Sequence, residues 1–168
     1  SGTTFNAEPL TISGTGKGSG DYLGALVSVQ QEYYTTNSNT YTGLVTLSAD
    51  ATIYTAYHSW CCWGTSSSPL TFNPSSGNAF EGAHALTIAG TSNVTVSDPI
   101  ATSSVVISNI RTTTLSADNT YTGSTTVSAG AGTVILSGSN SSNSLILNGG
   151  TTQVPKDASL GAVPSVDT

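Results

Sequence analysis

The sequence has little charge, and most of what it has is acidic. Only 7% of its 168 residues are charged, the formal net charge is −6, and Lys17, Arg111 and Lys156 are the only cations. Proteins that bind nucleic acids or anionic membranes carry clustered lysine and arginine. The composition therefore argues against a nucleic-acid partner and against attraction to a membrane surface.

Signals of helices and of membrane spans are also missing. Methionine is absent, strong helix formers are scarce, and no long window places apolar residues at the i, i+3, i+4 and i+7 spacing of an amphipathic helix. No apolar run approaches the roughly 18 residues of a membrane-spanning helix. No basic-then-apolar signal peptide opens the sequence, so a mature form or a piece of a longer chain is expected, without membrane insertion.

Cysteine is limited to the neighbours Cys61 and Cys62. Adjacent Cα atoms lie about 3.8 Å apart, below the usual range of roughly 4.4–6.8 Å across a disulfide. A bond between these two residues would therefore be strained. Three interpretations stay open: buried free thiols, a strained vicinal disulfide, or cross-links to other copies of the chain.

What the sequence does contain is typical of strands and turns. Threonine, valine, isoleucine and tyrosine are plentiful, there are 18 glycines, and short stretches alternate polar and apolar residues with the period of a half-buried strand. An ordered all-β chain forming a single domain over residues 1–168 is predicted. Its strands are expected at 9–15, 25–29, 46–53, 70–72, 85–91, 93–97, 104–110, 113–115, 126–129, 134–136, 144–148 and 152–154.

One stretch of the sequence occurs twice. NTYTGLVTLSA (39–49) returns as NTYTGSTTVSA (119–129), and LSAD occurs at 47–50 and again at 115–118, in a different register relative to NTYTG. Each NTYTG is predicted to be the turn at a corner of the chain, where glycine turns the backbone and tyrosine packs. The residues assigned to these two repeat turns are Asn39, Tyr41, Gly43, Asn119, Tyr121 and Gly123.

The recurrence of short strand–turn units favours stacked coils. Units that cannot bury a hydrophobic face alone are typical of solenoids, whereas short strands without recurrence fit a sandwich or a barrel equally well. A parallel β-helix (β-solenoid) is predicted, with a β-sandwich as the alternative. Leucine, isoleucine and valine are expected to fill the coils, and stacked Asn or Thr side chains are expected to form hydrogen-bonded ladders.

The second repeat resembles a known family. NTYTGSTTVSAG, preceded by TLSAD and followed by TVILSG, is similar to the passenger-associated repeat of autotransporter proteins, and DASLGAVPS at 157–165 is similar to the tail of that repeat. The resemblance covers residues 85 to 168 well and 9–53 more loosely. It implies a right-handed parallel β-helix that is secreted or displayed on a bacterial cell surface. It carries no catalytic residues.

Residues 54–82 depart from the repeat. This segment holds both tryptophans and both cysteines and is predicted to be an aromatic and cysteine-containing loop insertion. Exposed tryptophan and tyrosine stack on sugar rings, but aromatic clusters also form protein interfaces or brace a coil. The candidate binding or assembly residues are Tyr54, Tyr57, Trp60, Cys61, Cys62 and Trp63.

Signals of catalysis and of metal binding are weak. Asp50 and Asp118 are the one carboxylate pair in related contexts, but a glycosidase needs its two carboxylates roughly 5–10 Å apart, and aspartates that cap turns are the simpler explanation. Glu81 and His84, together with His58, form the one metal-like set. The sequence predicts no catalytic residue, no metal and no cofactor.

The predicted function is structural or adhesive. We expect an extracellular β-solenoid stalk, fibre or surface-layer subunit that associates with itself head to tail, because open solenoid ends invite strand pairing. A glycan or a host or cell surface is a further expected partner. The alternative is a carbohydrate-binding or polysaccharide-degrading β-helix module.

Overall fold

The structure is a computed structural model that describes residues 2–16, 23–29, 38–56 and 67–161. In these ranges the regular elements are β-strands and one short 3-10 helix, Asp157–Leu160. The strands are β1 (Thr4–Phe5), β2 (Leu10–Gly14), β3 (Leu26–Val29), β4 (Asn39–Tyr41), β5 (Val45–Ala56), β6 (Leu70–Phe72), β7 (Phe80–Glu81), β8 (Ala85–Gly90), β9 (Val94–Val96), β10 (Ile100–Ala101), β11 (Ser104–Ile107), β12 (Thr113–Leu115), β13 (Ser124–Val127), β14 (Thr133–Leu136), β15 (Ser144–Leu147) and β16 (Thr151–Gln153).

The described strands form two sheets in which every strand pair is parallel. The seven-stranded sheet has the order β1-β4-β6-β9-β12-β14-β16, and the nine-stranded sheet has the order β10-β7-β5-β8-β11-β13-β15 with β2 and β3 also on β5. Parallel neighbours separated by whole coils confirm the predicted β-solenoid. They exclude the β-sandwich, whose sheets are antiparallel.

The nine-stranded sheet bends at a corner inside β5. The first part of β5, residues 45–47, pairs with β2 and β7, whereas its second part pairs with β3 and β8. Gly14 at the end of β2 reaches Ala51 across an irregularity in register. We call the β2, β7 and β10 side the first leg and the β3, β8, β11, β13 and β15 side the second leg. Each coil thus has three sides, which are one strand of the seven-stranded sheet and one segment on each leg.

The core is a single column of buried side chains inside the coils. Strands such as β8 alternate half-buried and buried residues, as predicted from their sequence period. In the early coils Tyr41, Phe72 and Phe80 fill the interior, and the Phe72 ring lies 4.6 Å from that of Phe80. The later coils are shorter, and the same column continues with smaller side chains, including Val96, Leu115 and Leu136.

Four short strands differ from the sequence prediction. The sequence predicts none of β1, β7 and β10, because a strand of two residues is too short to show an alternation of polar and apolar residues. Asn39–Tyr41 was predicted to be a turn, and this was wrong. These residues form β4, paired with Thr4–Phe5 on one side and with β6 on the other. The turn follows at Gly43, where the backbone bends.

Candidate functional site

The first repeat turn lies beside an edge strand of the solenoid. Tyr41 is buried, and its hydroxyl donates a hydrogen bond to the backbone carbonyl of Glu8. Its ring meets Phe72 edge-on, with centroids 6.1 Å apart. Burial is the main cause that raises the pKa of Tyr41 above its ordinary value, and the negative charge of Glu8 raises it further. Tyr41 therefore joins the corner to the aromatic core.

Asn39 begins a buried polar contact between coils. Its Nδ2 donates to Oγ of Ser28 at 3.0 Å, and Ser28 and Ser68 share a hydrogen bond of 2.8 Å between their hydroxyl oxygens. Its Oδ1 accepts from the backbone N–H of Thr3 at 3.3 Å. Because Ser28, Asn39 and Ser68 belong to different coils, these bonds hold neighbouring coils in register.

The second repeat turn is more deeply buried. Nδ2 of Asn119 donates to Oδ1 of Asn140 at 3.0 Å, and Oδ1 of Asn119 accepts from the backbone N–H of Ile100 at 3.0 Å. Nδ2 of Asn140 then donates to the carbonyl of Ser159 at 2.6 Å. This short asparagine ladder joins the coils inside the solenoid, where unpaired amides would be costly.

The two copies of the repeat occupy different sides of the coil. Tyr41 lies in the seven-stranded sheet, opposite Phe72. Thr120 instead donates its backbone N–H to the carbonyl of Ile100, so the second copy stacks on the first leg. Accordingly Val45 opens a first-leg strand, whereas the aligned Thr125 lies on the second leg opposite Val105. The repeat therefore encodes a kind of corner, not a fixed place in the coil.

The sequence suggests that glycine turns the backbone at both corners. In the structure, glycine is needed there because an added side chain would collide with the neighbouring coil. Neither Gly43 nor Gly123 has a left-handed backbone. A Cβ at Gly43 would lie 2.3 Å from the carbonyl oxygen of Glu8, and one at Gly123 would lie 2.2 Å from that of Ser103. Each glycine allows one coil to approach the next at the corner.

The LSAD motifs also mark corners. Oδ1 of Asp50 accepts from the backbone N–H of Ala85 at 2.8 Å, and Oδ1 of Asp118 accepts from that of Ser139 at 2.7 Å. The Ser139 backbone N–H is the main cause of the lowered pKa of Asp118, helped by its hydroxyl and by Lys156, whose Nζ lies 3.6 Å away. The two aspartates lie at different corners with whole coils between them, so they do not form a carboxylate pair.

A further buried polar cluster, not predicted from the sequence, lies where the second leg turns toward the seven-stranded sheet. Nδ2 of Asn109 donates to the carbonyl of Ser92 at 3.0 Å and to Oγ1 of Thr113 at 3.1 Å. Oγ1 of Thr55 donates to the same Ser92 carbonyl at 3.0 Å, and Oγ of Ser92 accepts from the backbone N–H of Ser68. The sequence predicts Ser108 and Asn109 to lie at the end of the strand expected over 104–110, and nothing in it indicates that the Asn109 side chain is buried between coils.

Tyr121 supplies a test of this packing by pH. It is 1% exposed, its hydroxyl bonds to Oγ1 of Thr125 at 2.7 Å, and burial raises its pKa to about 12. Because the folded state holds this proton more tightly than the unfolded state, the stability it contributes is present below pH 10 and is lost as pH rises toward 12.

We therefore expect the stability difference between the native chain and Tyr121→Phe to change with pH. At pH 8 the variant should lose about 1 kcal/mol, the usual value of the hydroxyl hydrogen bond. Between pH 10 and 12 the native chain should lose about 2–3 kcal/mol more than the variant. Urea unfolding of both proteins measures this. Parallel stability curves would contradict the burial of the Tyr121 hydroxyl.

The predicted contact segment is described only in part. Tyr54 is half-buried on β5, where it pairs with Val27 and Ala89. Tyr57, Trp60, Cys61, Cys62 and Trp63 lie outside the described residues, as does His58. Two other described parts of the predicted insertion, β6 and β7, are strands of the two sheets.

The metal-like set does not assemble among the described residues. Oε1 of Glu81 accepts from the Thr46 hydroxyl at 3.3 Å, and Nδ1 of His84 lies 3.9 Å from Oδ1 of Asp50. Within the described ranges no three His, Cys, Asp or Glu residues are arranged to hold a metal ion. The same part of the chain contains no helix with the length and hydropathy of a membrane span.

Comparison with known proteins does not assign the chain to a family. No family model, no curated protein and no solved structure matches the chain. The resemblance to the autotransporter repeat stays a prediction, and function has to be argued from the geometry of the solenoid.

Proposed function

We propose that this protein is a structural or adhesive component outside a bacterial cell, a stalk, fibre or surface-layer subunit. One observation carries the proposal, which is the unbroken parallel pairing of seven strands from β1 to β16. At about 4.8 Å per coil these strands extend about 29 Å. A stiff spacer needs a backbone that is hydrogen-bonded from coil to coil and a surface that stays hydrated without strong charge. The resemblance of the second repeat to autotransporter repeats supports a location outside the cell.

The location is tested by labelling intact cells of the source organism with antibodies against the chain. We expect surface labelling that disappears after brief treatment of the cells with a protease that cuts the exposed chain. Labelling that requires permeabilised cells would overturn the proposal, since a stalk or surface-layer subunit must be accessible from outside.

We further propose that copies assemble head to tail. At the β1 and β3 edge lies an apolar hollow of about 310 Å³, with Phe5, Leu26 and Tyr41 among its lining residues. At the opposite edge Leu147 belongs to the inward column of the second leg but is 54% exposed, and Ile146 beside it is 41% exposed. Apolar surfaces at the two ends of one rod suit a heterologous contact that propagates.

Sedimentation measures this assembly directly. The native chain should form larger species as its concentration rises, and electron microscopy should show rods of variable length. Leu147→Lys should shift the distribution toward monomer, whereas Ile110→Lys, on an equally exposed apolar residue away from both ends, should not. Monomer at every concentration would contradict head-to-tail assembly.

The carbohydrate alternative has less support from the described residues. Asp50 and Asp118 accept backbone hydrogen bonds at separate corners of the coil, so these two carboxylates do not face each other across one groove. Binding of soluble polysaccharides to the intact chain would favour this alternative.

A further inference from the structure

A column of threonines runs up the outside of the seven-stranded sheet. Thr4 pairs with Thr40, Thr40 with Thr71, Thr71 with Thr95, and Thr95 with Thr114. In the strands from β4 to β12 the residues on either side of the threonine turn inward, as Leu70 and Phe72 do around Thr71, while the threonines remain partly exposed. We call this outer surface, from Thr4 to Thr114, the threonine face.

The column is one line of a two-dimensional grid. Stacked strands repeat at about 4.8 Å, and successive outward residues along one strand repeat at about 6.6–6.8 Å. Polar side chains flank the column at the ends of β9 and β12. Asn93 and Thr112 lie next to each other on one side, where Oδ1 of Asn93 accepts from the backbone N–H of Thr112 at 3.2 Å. Ser97 and Ser116 follow β9 and β12 on the other side.

The threonine face is neutral and stiff. The strands of the seven-stranded sheet contain no charged residue. Threonine is branched at Cβ, so its χ1 angle is restricted and its methyl and hydroxyl groups keep fixed positions. The polar clusters of Asn39 and Asn109 adjoin this sheet from within. Asn39 of β4 also bonds to Ser68, which precedes β6. Asn109 joins Ser92, which precedes β9, to Thr113 of β12. The face therefore presents one methyl and one hydroxyl group from each threonine on a stiff sheet.

We propose that the threonine face binds the surface of ice. The repeat distances of the grid lie close to lattice repeats of ordinary ice, so the methyl and hydroxyl groups are spaced to hold water in a similar arrangement. A neutral face suits a neutral crystal, because charged side chains hold water in a different geometry. Glycan-binding surfaces use aromatic platforms, and the outward residues of β4, β6, β9 and β12 are threonines.

The proposal goes beyond the structural role of the solenoid and does not depend on it. A rod that never touches ice remains a stalk or fibre subunit. An ice-binding rod gains an adhesive surface on one side, with the opposite two legs free for other contacts.

The second leg provides a matched control surface. Its outward column runs Thr52, Thr87, Val106, Thr126 and Ile146, so the apolar residues Val106 and Ile146 interrupt the threonines and the regular array is lost. Thr52 is also buried, unlike the threonines of the threonine face. Substitution at Thr87 and Thr126 therefore tests a similar strand position without the array.

The test measures how much of the intact chain enters a slowly growing ice crystal, together with inhibition of ice recrystallisation. We expect the native protein to enter the ice, and Thr71→Lys/Thr95→Lys to be excluded like a protein that does not bind ice. Thr87→Lys/Thr126→Lys should enter ice as the native chain does. Circular dichroism and thermal unfolding establish that each variant is folded.

Two further variants keep the test decisive if the double substitution unfolds the chain. Thr95→Lys alone should reduce incorporation, and Ile135→Thr, which extends the column beyond Thr114, should increase it. Exclusion of the native chain from ice overturns the proposal, and so does equal incorporation of the folded Lys variants of the threonine face. Binding to crystalline cellulose or chitin without entry into ice overturns it in favour of a glycan surface.

Discussion

Replacing Phe72 by alanine is expected to lower the free energy of unfolding by about 3–5 kcal/mol, as removal of a fully buried aromatic ring usually does. Phe72 is completely buried and lies between the rings of Tyr41 and Phe80, at centroid distances of 6.1 and 4.6 Å. The backbone ladder on both sides of β6 resists collapse into the space left behind, so most of the cavity cost should remain.

Phe5 offers the matched control for this substitution. It occupies the same column, opposite Tyr41, but on edge strand β1, where it is 50% exposed. Phe5→Ala should change the free energy of unfolding by less than about 1 kcal/mol, because its ring already contacts water. Denaturant unfolding of the two variants compares them. If Phe72→Ala costs no more than Phe5→Ala, the aromatic column is not a packed core.

The fold could be predicted because two signals agree along most of the chain. Ala85–Gly90, Val94–Val96 and Thr113–Leu115 alternate inward and outward residues as their sequences indicate. Recurrence of such units then favoured coils over a sandwich, since a coil is what makes neighbouring units pair in parallel. No such signal predicts the number of residues in each coil. This number is smaller for the coil from Val96 to Leu115 than for the earlier coil from Tyr41 to Phe72.

The candidate sites were harder to predict because they depend on register between coils. Thr40, Thr71, Thr95 and Thr114 are unevenly spaced in the sequence, so no periodic search brings them together, although the pairing of strands does. The one local signal is a threonine between two inward residues, as in Leu70–Phe72 and Val94–Val96. Asn109 lies at the end of a predicted strand and Asn119 in a predicted turn, and the burial of both follows only from the stacking of corners.

The same reasoning explains why an almost identical repeat occupies two sides of the coil. A three-sided coil needs a close corner wherever it turns, and Asn-Thr-Tyr-Thr-Gly provides an inward tyrosine and, two residues later, a glycine without a side chain. Gly43 meets Glu8 at the corner before the first leg, whereas Gly123 meets Ser103 at the corner between the two legs. The sequence thus specifies the local geometry of a corner, and the lengths of the preceding coils decide which corner it becomes.

Gly123→Ala is the substitution that tests this explanation most sharply. The added Cβ would lie 2.2 Å from the carbonyl oxygen of Ser103, the atom to which the backbone N–H of Gly123 donates at 3.0 Å. The corner has to move away and weaken that bond, while the next coil holds it from the other side through the N–H of Asn143, 3.3 Å from the carbonyl oxygen of Gly123. We expect a loss of about 2–3 kcal/mol, at the upper end of overpacking costs.

Two other glycines separate crowding from backbone conformation. Gly130 has φ of 83° and no atom within 4 Å of an added Cβ, so Gly130→Ala should cost about 1 kcal/mol from the left-handed backbone alone. Gly43→Ala meets the carbonyl of Glu8, an exposed residue near edge strand β1 that is able to shift, and should cost less than Gly123→Ala. Thermal and urea unfolding of the three variants gives the order. If Gly123→Ala is the mildest, the corner does not depend on close approach between coils, and the repeat would have to be explained by its turn conformation instead.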